Sequence, residues 1–147
     1  MTPLNFPSYE YKVKNKDGKV FIFDIIRKKY VALTPEEWVR QHMINFMIFH
    51  LNYPKSLITI ETGLKYNQLN KRSDVVVFGR EGSPWLLVEC KAPGQKIDDH
   101  VSFQAAVYNQ KIRAPFLVMT NGLIHHCFFI NHSTGEITPQ KEFPQYP

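Results

Sequence analysis

Three residues of this chain have the types and spacing that chemistry needs. Asp74 opens the apolar run "DVVVF", and Glu89 and Lys91 close the run "WLLVECK". Residues two apart on a strand project to one face, so Glu89 and Lys91 share a face and Cys90 takes the other. If the two runs form an antiparallel hairpin through Glu81-Gly82-Ser83, Asp74 and Glu89 fall opposite each other. Two carboxylates brought together repel, so one must take up a proton or a cation must bridge them. Hard divalent ions such as Mg²⁺ or Mn²⁺ accept such oxygen ligands and keep water in the remaining positions. A lysine ammonium alongside can hold the attacking water or steady negative charge on a phosphate. Phosphodiester hydrolysis is the chemistry that suits this set. The plainer account of Glu89 and Lys91 is a cross-strand ion pair at a sheet end, which adds little stability.

Positioning these groups requires a sheet, and the pattern supplies one. "SLITIETGL", "SDVVVFG" and "PWLLVECK" read as successive strands, separated by polar turns at Asn67–Asn70 and Glu81–Pro84. Their near-continuous apolar character predicts a sheet covered on both faces. Upstream, "LTPEEWVRQHMINFMIFHLN" has helical spacing of Val39, Met43, Phe46, Met47 and His50 or Leu51. Thr34 caps it, Pro35 fits its first turn, and Glu37 completes a capping box. Asn52 and Pro54 stop it. Downstream, "DDHVSFQAAVYNQKI" predicts a second helix, capped by Asp98 or Asp99, with Val101, Ala105, Tyr108 and Ile112 on one face. "APFLVMTNG" and "LIHHCFFIN" read as two more strands joined at Asn121-Gly122. The opening "KVKNKDGKVFIFD" alternates about an Asp17-Gly18 turn, the signal of a hairpin. The expectation is one α/β domain in three layers, with helices on both sides of a mixed central sheet. Within it, residues 1–33 form a basic hairpin, 34–130 the core and 131–147 a tail.

Composition fits this picture. The 147 residues are 44% hydrophobic and 21% charged, which excludes a disordered chain. No apolar run approaches a membrane span, and no charged-then-apolar leader opens the chain. A cytoplasmic protein with no membrane partner is therefore expected, with Cys90 and Cys127 as reduced core thiols. Net charge is +5, with seven Lys or Arg against three acids in residues 1–30 and near balance beyond. Lys12, Lys14, Lys16, Lys28 and Lys29 of this arm are candidates for holding DNA phosphates, though a merely soluble surface looks the same. His125, His126, Cys127 and His132 lack the spacing of a zinc site, so Cys127 is read as core and the histidines as surface or edge.

The motif residues also resemble a known family. Asp74 followed by Glu89-Cys90-Lys91 looks like the PD-(D/E)XK nuclease superfamily, whose pattern is an acid and then acid-x-Lys on the next strand. "KRSDVVVFG" and "LLVECKAP" are similar to the N-terminal nuclease domain of type I restriction enzyme R subunits. In "FQAAVY", Gln104 and Tyr108 match the QxxxY motif of the RecB-like branch, and residues four apart share a helix face. The resemblance covers roughly residues 34–130. It departs at Ser73, where the motif name has proline.

The resemblance implies a restriction-endonuclease-like fold and a Mg²⁺- or Mn²⁺-dependent endodeoxyribonuclease. Asp74, Glu89 and the Cys90 backbone carbonyl would hold the metal, and Lys91 would act on the water or the phosphate. Gln104 and Tyr108 would orient Lys91 or the DNA backbone, unless they simply pack against the sheet. Glu37 is a further candidate ligand, although the capping box explains it without a metal. Glu61 could face the same cleft, and Arg72 could meet a phosphate. Type I relatives work with motor and methylation partners, and this chain carries no GxxxxGK loop of a motor. Cutting both strands of a duplex needs two sites, so a homodimer or partner chain is expected. The rivals are an idle nuclease-fold module that binds DNA or a protein, and a nuclease for RNA or branched DNA.

Overall fold

Alternating residues on either side of Asp17 and Gly18 form strands β1 (Val13–Lys16) and β2 (Lys19–Asp24). Both turn residues have positive φ, 54° and 78°, as a tight two-residue hairpin requires. The structure, a computed structural model, describes the backbone of residues 1–67 and 70–147 and the side chains of residues 1–61 and 75–147. The centre of the turn expected at Asn67–Asn70 and the side chains of Arg72 and Asp74 lie outside the described residues. The amino-terminal hairpin gains a strand that the sequence reading lacked. β3 (Lys29–Ala32) pairs antiparallel with β2, setting Phe23 opposite Tyr30 and Phe21 opposite Ala32. At four residues it is too short to show a period of its own.

Helix α1 (Pro35–Phe49) begins where expected, with the Thr34 hydroxyl accepting from the Glu37 amide at 3.0 Å. It ends before Asn52, whose φ is 56°, and Pro54. The expected apolar face is present: Val39, Met43 and Met47 are buried against the large sheet, with Ile44 beside them. The opposite face is not solvated as a one-sided helix would be. Every residue from Glu37 to Asn45 is buried, because the amino-terminal segment and small sheet lie over it. The Trp38 indole donates to the Thr2 carbonyl at 2.7 Å, and the Tyr11 ring meets Trp38 edge-on at 5.0 Å.

The second sheet runs β4 (Ile58–Asn67), β5 (Asn70–Phe78), β6 (Pro84–Cys90), β7 (Phe116–Thr120), β8 (His125–Ile130) and β9 (Ile137–Gln140), in that order across the sheet. Neighbours are antiparallel except β6 and β7, which are parallel. A parallel pair needs a crossover, and α2 (Asp99–Ile112) supplies it. Asp98 caps α2 by accepting from the Val101 amide at 3.0 Å, and Arg113 ends it in a left-handed turn, φ 63°. Alternate strand residues enter different cores. Val75, Val77, Leu86, Val88 and Val118 pack with α1, whereas Val76, Leu87, Leu117 and Met119 pack with Ala105 and Tyr108 of α2. The helices therefore cover opposite faces, which is why the strands are apolar at nearly every position.

Residues 131–147 are not a loose tail. They contribute edge strand β9, which tolerates Pro139 because an edge strand can leave a ladder position unpaired. They also carry Phe143 and Tyr146 into the α1-side core, where Tyr146 packs edge-on to Trp85 at 4.9 Å. Cys90 and Cys127 form no disulfide and are buried in that same core, as expected, and burial pushes the Cys127 thiol up to about 11. Among the described residues, no helix is long and apolar enough to cross a membrane.

Candidate active site

The apolar run of β6 ends with its two faces going separate ways. Leu87 faces α2 and Val88 faces α1, so the pleat turns Glu89 toward α2 and Cys90 into the α1-side core. Glu89 is buried, and the Lys91 Nζ stands 3.3 Å from its Oε1 with 17% of the lysine side chain exposed. The Lys91 amide donates to the Thr120 carbonyl at 2.8 Å, tying the end of β6 to the end of β7. The acid and base of the motif are thus together on one face, one inside the fold and the other reaching its surface.

Strand register adds neighbours to Glu89. Val75 lies opposite Val88 across β5 and β6, the last pair of that register, and Asp74 and Glu89 are each the next residue beyond it. On the other side of β5, Asp74 pairs with Glu61 of β4. Glu61 and Asp74 are thus strand partners, and Asp74 and Glu89 flank the same end of the β5–β6 ladder. Glu61 is half-buried, and its Oε1 accepts from the Thr59 hydroxyl at 3.0 Å. Thr59 pairs with Val76, whose side chain belongs to the α2-side core, so the Glu61 side chain is on the face that Glu89 uses. Asp74's own side chain lies outside the described residues. Among the described residues, no three His, Cys, Asp or Glu side chains form a cluster that could hold a metal ion.

Helix α2 brings its motif residues to this face unequally. Tyr108 is 3% exposed and packs with Leu87 and Met119, whereas Gln104, one turn earlier, is exposed. Because α2 connects the end of β6 to the start of β7, its first turns lie toward the end of the sheet where Glu89 sits.

Glu37 belongs to a different cluster. Its Oε2 accepts from Arg27 at 2.8 Å and Gln41 at 2.9 Å, and its Oε1 accepts from Arg40 at 2.9 Å. Asp24, fully buried at the end of β2, accepts from the Arg27 amide and guanidinium at 2.7 Å and from Gln41 at 2.8 Å. Burial alone would raise the Asp24 carboxyl pKa, but these donors hold it below its ordinary range. Two carboxylates and two guanidinium groups so paired join the small sheet to α1. The Glu37 carboxylate, which a reciprocal capping box would turn back toward Thr34, is engaged here instead.

The lysine arm is split by the small sheet. Lys14 and Lys16 of β1 share one face of the small sheet with Lys12 just before that strand, whereas Lys29 of β3 pairs with Asp24 on the opposite face and Lys28 sits in the turn with φ 56°. All are exposed. The histidines are more enclosed than expected. His125 is half-buried, with Nδ1 2.8 Å from the Thr120 hydroxyl and Nε2 3.0 Å from the Asn5 carbonyl. His132 Nε2 lies 2.8 Å from the Ala114 carbonyl, and His126 is exposed.

The family model for the type I restriction enzyme R protein N terminus matches residues 35–144. No curated protein and no solved structure matches the chain.

Proposed function

Because the chain belongs to the family of type I restriction enzyme R protein N termini, we propose that it is a divalent-metal-dependent deoxyribonuclease domain of the PD-(D/E)XK type. The observation that carries this reading is the pair at the end of β6: a buried Glu89 carboxylate with the Lys91 ammonium at 3.3 Å. Such a pair contributes little to stability, because taking both charges out of water offsets their attraction. It makes sense where negative charge has to be managed.

The donor chemistry fits a hard divalent ion. Asp74 and Glu89 would hold Mg²⁺ or Mn²⁺, together with the Cys90 carbonyl, and Glu61, the strand partner of Asp74, is a third carboxylate nearby. When bound, the ion supplies positive charge to the phosphate and lowers the pKa of a coordinated water. Lys91 presents its ammonium where negative charge grows on the phosphate. Buried Tyr108 and exposed Gln104 on α2 orient Lys91 or the DNA backbone, and Arg72 meets a phosphate. Glu37 stays outside the ligand set, since its oxygens are already engaged by Arg27, Arg40 and Gln41. Motor and methylation subunits are the partners that the family suggests. A homodimer or partner chain would supply the second site for cutting a duplex.

Incubation of the protein with supercoiled plasmid and linear duplex, with Mg²⁺, Mn²⁺ or chelator, tests this reading. The expected result is cleavage with either ion and none with chelator. Intact DNA under every condition would leave a nucleic-acid-binding module in its place.

A further inference from the structure

The small amino-terminal sheet turns one face inward and one outward, and the outward face has an unusual composition. Ile22 is fully buried and Asp24 is held in the ion cluster, so the even positions of β2 face the protein. Register then puts Lys19, Phe21 and Phe23 of β2 on the outer face, with Lys14 and Lys16 of β1 and the preceding Lys12 on one side and Tyr30 of β3 on the other. The lysines are exposed and the three rings half-buried. The acids of this region lie elsewhere: Asp24 faces inward, Asp17 is in the turn, and Glu10 precedes β1.

The rings are available from outside. Lys14 Nζ rests 4.2 Å from the Tyr30 ring centroid, and Lys12 Nζ 5.9 Å from that of Phe23. An exposed cation–π contact of this kind is weaker than stacking of a nucleobase on an aromatic ring. A base can therefore displace Lys14 from Tyr30 and leave its ammonium free for a phosphate. Lysines two apart along β1 stand about 7 Å apart, a ladder of positive charge along an extended chain. Lysines alone would serve a duplex equally well. The rings among them favour a strand whose bases are unpaired.

We propose that the outer face of the β1–β2–β3 sheet is a docking surface for single-stranded DNA, with phosphates on Lys12, Lys14, Lys16 and Lys19 and a base on Tyr30. The choice of DNA rests on the nuclease reading. The Asp24–Arg27–Glu37–Gln41 bonds tie this sheet to α1, so a strand bound there is held beside the core.

Fluorescence anisotropy with labelled oligothymidine, and with a duplex of equal length, tests the proposal in chelator, where no cleavage is possible. Wild type should bind oligothymidine more tightly than duplex. Lys14→Gln/Lys16→Gln should lower the slope of log affinity against log salt by about 1.4, since each phosphate contact on a single strand contributes about 0.7. Tyr30→Leu should weaken oligothymidine binding on the order of tenfold while leaving that slope unchanged. Thermal melts check that each variant folds, and the exposed lysine pair decides the matter should Tyr30→Leu not fold. Binding unaffected by the lysine pair, or a preference for duplex indifferent to Tyr30→Leu, would overturn the proposal. A wild type that binds the strand but cleaves no DNA with any metal overturns the nuclease reading alone. One that cleaves while the lysine pair binds like wild type overturns the docking surface alone.

Discussion

Lys91 holds its ammonium 3.3 Å from a Glu89 carboxylate that is 1% exposed, while the lysine side chain itself is 17% exposed. The two partners are thus unequal: the base can reach water and the acid cannot. Removing them should have unequal costs. Glu89→Gln keeps the shape and lets Lys91 turn to solvent, so its melting temperature should stay within a few degrees of wild type. Lys91→Ala leaves a buried carboxylate without its ammonium and should cost about 3 kcal/mol. Millimolar Mg²⁺ should restore part of that loss in Lys91→Ala and have no effect on Glu89→Gln. Thermal melts with and without Mg²⁺ read all of this; equal destabilisation of both variants, unmoved by the ion, would contradict a metal at Glu89.

Tyr108 is buried against Leu87 and Met119, so its ring belongs to the core whatever its hydroxyl does. Tyr108→Phe should keep the fold and lower the cleavage rate by less than Lys91→Ala does, because only one hydroxyl contact is lost. Tyr108→Ala should lose about 3–5 kcal/mol of stability through the cavity it leaves. A phenylalanine variant as inactive as Lys91→Ala would move Tyr108 from a positioning role to a direct one.

Acid should weaken the fold in two stages. Burial lowers the pKa of His42 and of His125 from the ordinary imidazole value of 6.5, against the opposing effect of the Trp38 and Asn5 carbonyls. A depressed folded pKa means that the stability is present above 6.5 and is lost as pH falls through the folded values. Asp24 is likewise held below 3.8, so its contribution is present above that value and disappears at lower pH. Denaturant titrations from pH 7 downward should show a first decline below about 6.5 and a second below about 3.8. Asp24→Asn should start less stable and lack the second. A wild-type stability flat from pH 7 to pH 5 would count against the buried neutral imidazoles.

Both thiols are in the α1-side core, with Cys90 4% and Cys127 7% exposed. The thiolate is the reactive form, and burial pushes Cys127 up to about 11. A thiol-exchange reagent at neutral pH should therefore label the protein only as fast as it opens, and at once in denaturant. Rapid labelling of the folded protein would show that β6 or β8 opens locally.

The parts of the fold most readable in the sequence are those with a long period or a strong cap. Thr34 and Asp98 start their helices as their side chains predict, and the apolar runs of β5 to β8 lie where expected. The grouping of acids was legible only in part. The Val75–Val88 pairing beside Asp74 and Glu89 follows from a hairpin through residues 81–83, but the partnership of Glu61 with Asp74 does not. Two irregularities, between Thr62 and Leu64 and between Lys65 and Asn67, shift the register between β4 and β5. Counting back from the turn therefore gives the wrong partner. Burial of Glu37, Arg40 and Gln41 was hidden for another reason. Nothing local in "PEEWVRQH" says that a second sheet will cover that side of α1. Strands β3 and β9 have four residues each, too few to alternate visibly.

The central claim is that Glu89 and Lys91 form the catalytic end of a metal-dependent nuclease, and Lys91→Ala tests it most directly. Its ammonium matters most where charge develops, so its loss should raise the barrier while leaving the ground state alone. Single-turnover cleavage with saturating protein and Mg²⁺, at a temperature where both proteins are folded, gives the rate; anisotropy in chelator gives DNA affinity. The account predicts a rate lower by about 10²- to 10³-fold with affinity unchanged. A Lys91→Ala protein that cleaves DNA at the wild-type rate would contradict it.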